Sequence, residues 1–157
     1  GGGYPEAHAA ALSENRSMRE AVAAIAASGR PVYGECGGLM YLGEKLTTDE
    51  GAFPMCGALP LETEMLGRIR SLGYREVSTT RPTPLGPAGT TFRGHEFHYS
   101  QLAGTPQLPA AYAVSGRRGE AEEGWLIGQC LGSYVHAHWA SNPQIAADFV
   151  AACADGP

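Results

Sequence analysis

One cysteine stands among glycines, in a stretch whose spacing could hold a nucleophile. Cys36 lies in YGECGGLMYL, with Gly34 two residues before it and Gly37 and Gly38 directly after it. A nucleophile on a sharp strand-to-helix turn needs small neighbours, because the turn is tight and its backbone is strained. The backbone N–H groups that open the next helix favour a thiolate and can donate to an oxyanion. The pattern fits equally well a cysteine that only fills a gap beside a tight turn.

A thiolate nucleophile needs a base, and five histidines are available. His136 and His138 lie in SYVHAHW, where the alternation of a strand directs both side chains to one face. The pair could ligate a metal, but no carboxylate or thiol with suitable local spacing joins it, so we expect no metal. A single base at the carboxyl end of a strand is the simpler interpretation, because α/β active sites collect at that edge.

The elements around these residues predict an α/β fold. Residues 4–30 predict two helices, with Ser17 capping the second, and a short buried strand ends just before Cys36. Short alternating segments between residues 57 and 117 predict strands joined by turns, in an antiparallel extension. Two more short strands precede a closing helix capped by Asn142. We expect a mostly parallel sheet flanked by helices, with additional antiparallel strands.

Composition and charge narrow the function classes. The 157 residues are enough for one domain, and 43% hydrophobic with 17% charged residues is ordinary globular composition. The net charge is −5 and no basic cluster exceeds Arg117–Arg118, so we expect neither nucleic-acid nor membrane partners. Without a long apolar run or a signal segment, a cytoplasmic location is the expectation. The cysteines are far apart, which argues against a disulfide scaffold or structural zinc.

Several motifs together resemble a known family. The chain resembles the glutamine amidotransferase domain of the cobyrinic acid a,c-diamide synthases, in the cobalamin-pathway branch of the class I (triad-type) amidotransferases. The combination of RGHEFHYS with YVHAHWASNP is specific to this branch. The resemblance implies the class I amidotransferase-like, three-layer flavodoxin-like fold. The matching stretches occur in family order over nearly the whole chain: GGGYPE, ECGGLMYL, LGYREV, RGHEFHYS and SYVHAHWASNP.

The resemblance also implies a mechanism. Cys36 would attack the side-chain amide of glutamine, expel ammonia and leave a glutamyl thioester that water resolves. His136 would activate the thiol, protonate the departing ammonia and activate the water. The oxyanion would lie between the N–H of Gly37 and a backbone N–H of the opening glycine loop, at Gly3.

The third member of a triad stays open in the sequence. Many class I amidotransferases carry a glutamate two residues after the catalytic histidine, whereas this chain has His138 there. Glu96, in RGHEFHYS, is a candidate for orienting His136 or binding the amino group of glutamine, and His138 is a second candidate for an orienting or substrate-binding role. A solvated glutamate at a strand edge fits the sequence as well. A catalytic dyad, or an acid from another domain, also fits.

The family's full-length enzymes are longer than this chain. Their N-terminal synthetase domain uses ATP and Mg²⁺ to activate the a and c carboxylates of the corrin macrocycle. The chain has no G-x-x-x-x-G-K-[ST] loop, so we expect no cofactor in it. We expect residues 1–157 to form one amidotransferase domain, truncated inside the domain and missing its N-terminal βα units. The exposed sheet edges would favour association, such as a homodimer.

The leading hypothesis is therefore the glutaminase half of a cobyrinate or hydrogenobyrinate a,c-diamide synthase. Its expected partners are glutamine and the synthetase domain with its corrin substrate. One alternative keeps the chemistry but changes the macrocycle to a nickel sirohydrochlorin. Others are a non-catalytic docking module of the same fold and a cysteine peptidase of related fold. Cys36 and His136 argue against the docking module, and RGHEFHYS argues against the peptidase.

Overall fold

The computed structural model of the chain describes residues 1–117 and 119–154, so Arg118 of the basic pair lies outside the described residues. The N-terminal part is helical, and Cys36 alone separates the first strand from the next helix. The elements in chain order are a 3₁₀ helix (Pro5–His8), α1 (Ala9–Glu14), α2 (Arg16–Ala27), β1 (Val32–Glu35) and α3 (Gly37–Leu42).

The remainder is mostly strand and ends in a helix. Asn142 lies at the start of that helix and accepts from Gln144 N at 3.1 Å. The elements are β2 (Lys45–Thr48), β3 (Gly51–Pro54), β4 (Glu62–Met65), β5 (Ser71–Thr79), β6 (Thr91–His98), β7 (Ser100–Leu102), β8 (Ala110–Gly116), β9 (Gly119–Ile127), β10 (Cys130–Ser133), β11 (His136–Ala137), a 3₁₀ helix (Trp139–Ser141) and α4 (Gln144–Ala154).

The cap of α2 differs from the sequence prediction. Asn15, not Ser17, caps the helix, and its Oδ1 accepts from Met18 N at 3.2 Å. The helix begins at Arg16, so the donor three residues past the cap belongs to Met18. Asn and Ser are about equally good caps, and the position of the preceding turn decides between them.

The strands form two sheets, and their pairing corrects one expectation. The larger sheet has the order β1-β10-β9-β8-β5-β6-β11, and the smaller β3-β2-β4-β7. Parallel pairing joins β1 to β10 and β2 to β4, whereas the other described pairs are antiparallel. The sheets are therefore mixed rather than mostly parallel. For two of the antiparallel pairs the physical reason is connection length, because only two residues join β2 to β3 and β9 to β10, and parallel neighbours need a long crossover.

Apolar clusters cover both faces of the larger sheet. Cys130 and Leu131 are neighbours on β10 and belong to different clusters, so this strand is buried on both sides. The end of β10 is thereby fixed, and the segment leading to His136 starts from a rigid position. The first cluster includes Leu39, Leu46, Leu59 and Trp125, and the second, under α4, includes Val77, Phe92, Tyr112 and Ile145.

The close approach of β11 to β6 yields a stability prediction. Ala137 pairs with Gly94, and a Cβ added at Gly94 would overlap the carbonyl oxygen of His136 and stand 2.6 Å from Val135 Cγ1. We expect Gly94→Ala to lower the free energy of unfolding by about 2 kcal/mol, since overpacking at a backbone contact forces β11 outward. Chemical denaturation measures this loss.

The matched control is Gly67→Ala. Gly67 has nothing within 4 Å of an added Cβ and no positive φ, so a change below about 0.5 kcal/mol is expected. Equal unfolding midpoints for the two variants would contradict the packing argument.

Candidate active site

Cys36 occupies a strained turn between β1 and α3. Its φ of 50° and ψ of −103° make it the one non-glycine residue at positive φ within residues 1–117 and 119–154. Such a conformation costs on the order of 1–3 kcal/mol and persists where its surroundings impose it. Two features of the surroundings impose this conformation on Cys36. Its N–H donates to Ser133 O at 2.7 Å, and Gly34 packs so closely that an added Cβ would stand 2.6 Å from Leu42 Cδ1. This is the geometry of a nucleophile elbow.

Parallel pairing brings Cys36 and His136 to the same sheet edge. In the β1–β10 pair Glu35 stands opposite Ser133. Cys36 directly follows β1, and His136 comes three residues after the end of β10. Because the carboxyl ends of parallel strands meet at one edge, both residues lie where α/β active sites collect.

The opening glycines lie against the elbow. A Cβ on Gly37 would stand 3.1 Å from both the nitrogen and the oxygen of Gly3. A Cβ on Gly2 would overlap Cε1 of His136, so Gly2 packs directly on the imidazole. The structure thus brings together the two glycines that the resemblance pairs as oxyanion donors. Donation by their N–H groups to an oxyanion stays a prediction.

The electrostatics of Cys36 correct one sequence-based expectation. Burial raises the pKa of the Cys36 thiol to about 11, although a hydrogen bond from the Gly37 backbone acts in the opposite direction. Nearby glutamates, Glu6 and Glu35 among them, add to the rise. The helix terminus therefore does not make a resting thiolate, because desolvation outweighs its donors. The Sγ instead contacts Phe97 O at 3.9 Å, as a thiol can.

His136 is held in the state that a base requires. Burial lowers the pKa of its imidazole, the charge of His95 lowers it further, and Glu35 acts against both. The rings of His136 and His95 stack, with centroids 4.7 Å apart and planes at 9°. Near neutral pH the site therefore combines an uncharged thiol with an uncharged imidazole.

Glu96 lies on the other side of β6 from this ring pair. The strand alternates, with His95 exposed and Glu96 buried. The Glu96 carboxylate accepts hydrogen bonds from Ser71 Oγ and from Arg75 Nη2, the latter at 3.1 Å. Burial acts to raise its pKa, but the bonds from His98, Ser71 and Arg75 prevail and lower it to about 2. The structure thus brings Glu96 to Arg75 rather than to His136, and it is not a solvated edge residue.

His138 lies just beyond the end of β11. Its backbone N–H donates to Arg93 O at 2.8 Å, and its side chain is exposed. It lines a cavity of about 900 Å³ together with His95 and His136. His136 and His138 thus border the same cavity, although the strand that was predicted to direct both to one face ends at Ala137.

Sequence reasoning missed two glutamates that organise the site. Glu35 Oε1 accepts from Ala137 N at 2.9 Å, which ties the elbow to β11. Glu123 accepts from the Ser133 hydroxyl and, at 2.6 Å, from Tyr134 N. Glu35 adjoins Cys36, and that adjacency was the available signal. Glu123 was missed because it lies in an acidic stretch, whose charges predict exposure to solvent.

Two features of the described residues concern other classes of site. No group of three or more His, Cys, Asp or Glu side chains in residues 1–117 and 119–154 could hold a metal ion. No helix in the same part of the chain is long and apolar enough to span a bilayer.

Comparisons with known proteins agree with this geometry. A family model of the CobB/CobQ-like glutamine amidotransferase domain matches residues 1–144. Relatives named cobyrinate a,c-diamide synthase are 49% identical over 98% of this chain in Syntrophotalea carbinolica and 44% identical over 95% in Methanothermobacter thermautotrophicus. The chain spans only 35% and 33% of their lengths.

A solved structure supports the fold. A crystal structure of a glutamine amidotransferase superposes with a TM-score of 0.62 at 16% identity, over 90% of this chain and 71% of that one. The expected α/β, class I amidotransferase-like fold is thereby confirmed.

Proposed function

Because the chain belongs to the CobB/CobQ-like glutamine amidotransferase family, we propose that it hydrolyses glutamine as part of a cobyrinate or hydrogenobyrinate a,c-diamide synthase. The observation that carries the proposal is the strained Cys36 at the end of β1, with His136 at the same edge after β10. A positive φ at a non-glycine residue is costly, and such strain clusters at functional sites.

The chemistry follows from the two uncharged groups. As the Cys36 sulfur attacks the amide carbon of glutamine, His136 takes the thiol proton, and the N–H groups of Gly37 and Gly3 receive the oxyanion. The imidazolium returns the proton to the leaving nitrogen, so that ammonia departs and a glutamyl thioester remains. His136 then removes a proton from water, which releases glutamate and restores the thiol. One oxyanion donor contributes about 3 kcal/mol to lowering such a barrier.

The cavity beside Cys36 implies an opening step. Its volume is about 20 Å³, enough for a single water and far below what glutamine occupies. Its walls include Gly3 and Tyr4 from the opening segment and Phe97 and Tyr99 from around β6. Glutamine would therefore extend out of this cavity or displace one of its walls, and in the second case a partner domain that moves the opening segment would control the reaction.

The remaining part of the longer relatives supplies the rest of the proposal. We propose that a synthetase domain there uses ATP and Mg²⁺ to activate the a and c carboxylates of the corrin, and that ammonia from this chain attacks them. The chain itself would need no cofactor, and the location would be cytoplasmic. The supporting observation is that the relatives named for this activity are about three times as long as the chain.

Labelling with a diazoketone analogue of glutamine tests the proposal. We expect mass spectrometry to find the adduct on Cys36, suppressed by excess glutamine and lost in His136→Ala. Cys130 is the matched internal control, because burial raises its pKa to about 11 as well, but it lies within β10 rather than at a strand-to-helix turn. Cys153 is exposed and reports reactivity from accessibility alone. Labelling of Cys153 in preference to Cys36, or labelling indifferent to glutamine, would refute the proposed site.

A further inference from the structure

We propose that His95 is a positioning residue for His136, holding the imidazole in the orientation and the uncharged state that a general base needs. The consequence for catalysis depends on the proposed function. The contact between the two rings of this chain can be measured without turnover.

The backbone places the two rings opposite each other. β11 is two residues long and pairs antiparallel with β6, with His136 opposite His95 and Ala137 opposite Gly94. Side chains directly opposite in an antiparallel pair are the closest cross-strand neighbours. Since Gly94 has no side chain, His95 provides the cross-strand side-chain contact of this short strand.

The geometry of the rings is that of a stack. Their centroids are 4.7 Å apart and their planes differ by 9°. Gly2 lies against the same imidazole, since a Cβ there would stand 2.9 Å from its Nδ1. The His136 ring is therefore confined by its contacts with His95 and Gly2, and it has little freedom to rotate.

Charge adds to the effect of the contact. Protonating both stacked rings would place like charges together, which disfavours the imidazolium form of His136. After burial, the charge of His95 is the largest influence that lowers the pKa of His136. The other charged or titratable groups that face His136 are Glu35 on β1, His98 on β6, the terminal amine of Gly1, and, around the shared cavity, Tyr74, Arg75, Glu76, Arg93, Arg117 and His138.

Two substitutions separate the contact from the charge. His95→Phe keeps a flat ring against His136 and removes the charge, whereas His95→Ala removes both. The matched control is His8→Phe, which removes an exposed histidine of the first 3₁₀ helix. If His95→Phe does not fold, His95→Gln removes the charge in a side chain that suits an exposed strand position.

The measurement is an NMR titration of the His136 Cε1–H in this chain, assigned with His136→Gln. We expect the His136 midpoint to rise by about 0.5–1 pH unit in His95→Phe and to stay unchanged in His8→Phe. The ring-current shift of the His136 proton should persist in His95→Phe and vanish in His95→Ala. A merely structural role would not move the midpoint in a variant that keeps the ring.

An unchanged or lowered His136 midpoint in His95→Phe would overturn the inference, as would an unchanged ring-current shift in His95→Ala. The outcome is separable from the proposed function. If glutamine labelling fails but the midpoint rises, the ring pair stands and the catalytic assignment fails. If labelling succeeds and the midpoint does not move, only the role of His95 fails.

Discussion

Replacing Cys36 by serine is expected to lower glutamine hydrolysis by about 10⁴-fold or more, while the fold is retained. Removing the nucleophile of a triad-type enzyme has an effect of this order, because the residual rate comes only from binding and oxyanion donors. A hydroxyl is far less acidic than the thiol, and it would occupy the same buried elbow. The neutral imidazole of His136 could not deprotonate it efficiently. Glutamate release by the variant and the parent chain measures the effect.

The controls for this prediction use the other cysteines. Cys153→Ser changes an exposed thiol on α4 and should leave hydrolysis within about two-fold of the parent, as a surface substitution away from the site. Circular dichroism of Cys36→Ser excludes loss of the fold. If Cys36→Ser hydrolysed glutamine as fast as Cys153→Ser, another group would have to be the nucleophile.

Residues whose roles follow from local chain geometry were predictable from the sequence. The glycines around Cys36 predict a tight turn, and in the structure Cys36 has a positive φ at that turn. His136 was found because a strand leads to it, and parallel pairing of β1 with β10 puts it at the expected edge. The neighbouring positions of Gly3 and Gly37 were also expected, although only from the resemblance.

Residues whose roles depend on distant pairing were not predictable. Glu96 binds Ser71 and Arg75, which reach it only through the register of β5 with β6. The resting thiol of Cys36 depends on burial by segments far along the chain, which no local pattern reports. Two of the antiparallel pairs, β2 with β3 and β9 with β10, follow from two-residue connections, which can be recognised only once the ends of the strands are known.

Glu123 carries the second large prediction, an effect on stability. Its carboxyl group is buried and accepts from the Ser133 hydroxyl and from Tyr134 N. We expect Glu123→Ala to lower the free energy of unfolding by about 3 kcal/mol or more, since both donors would remain buried without a partner. Chemical denaturation at pH 6 measures it. Glu122→Ala on the solvent side of β9 is the matched control, and an equal loss there would contradict the argument.

The same residue fixes a pH dependence with a definite sign. Burial raises the pKa of Glu123 to about 8, against the hydrogen bonds from Ser133 and Tyr134. The folded chain therefore keeps a proton that the unfolded chain loses near pH 4.3. The contribution of Glu123 to the free energy of unfolding is therefore fully present below about pH 4, and it is lost as the pH rises to about 8. Glu96 acts in the opposite direction, with stability lost as the pH falls toward 2.

Glu123→Gln isolates this contribution, because an amide of nearly the same shape does not ionise in this range and its oxygen can still accept from Tyr134 N. We expect the stability difference between Glu123→Gln and the parent to grow in favour of the variant from pH 5 to pH 8. The histidines are common to both chains and cancel in that difference. A constant difference over this range would show that Glu123 is ionised in the fold.

The protonation of Glu123 also matters for the active site, because Ser133 O accepts the hydrogen bond from Cys36 N–H and the chain runs from Ser133 to His136. A proton held on Glu123 thus stabilises the segment that positions both proposed catalytic residues.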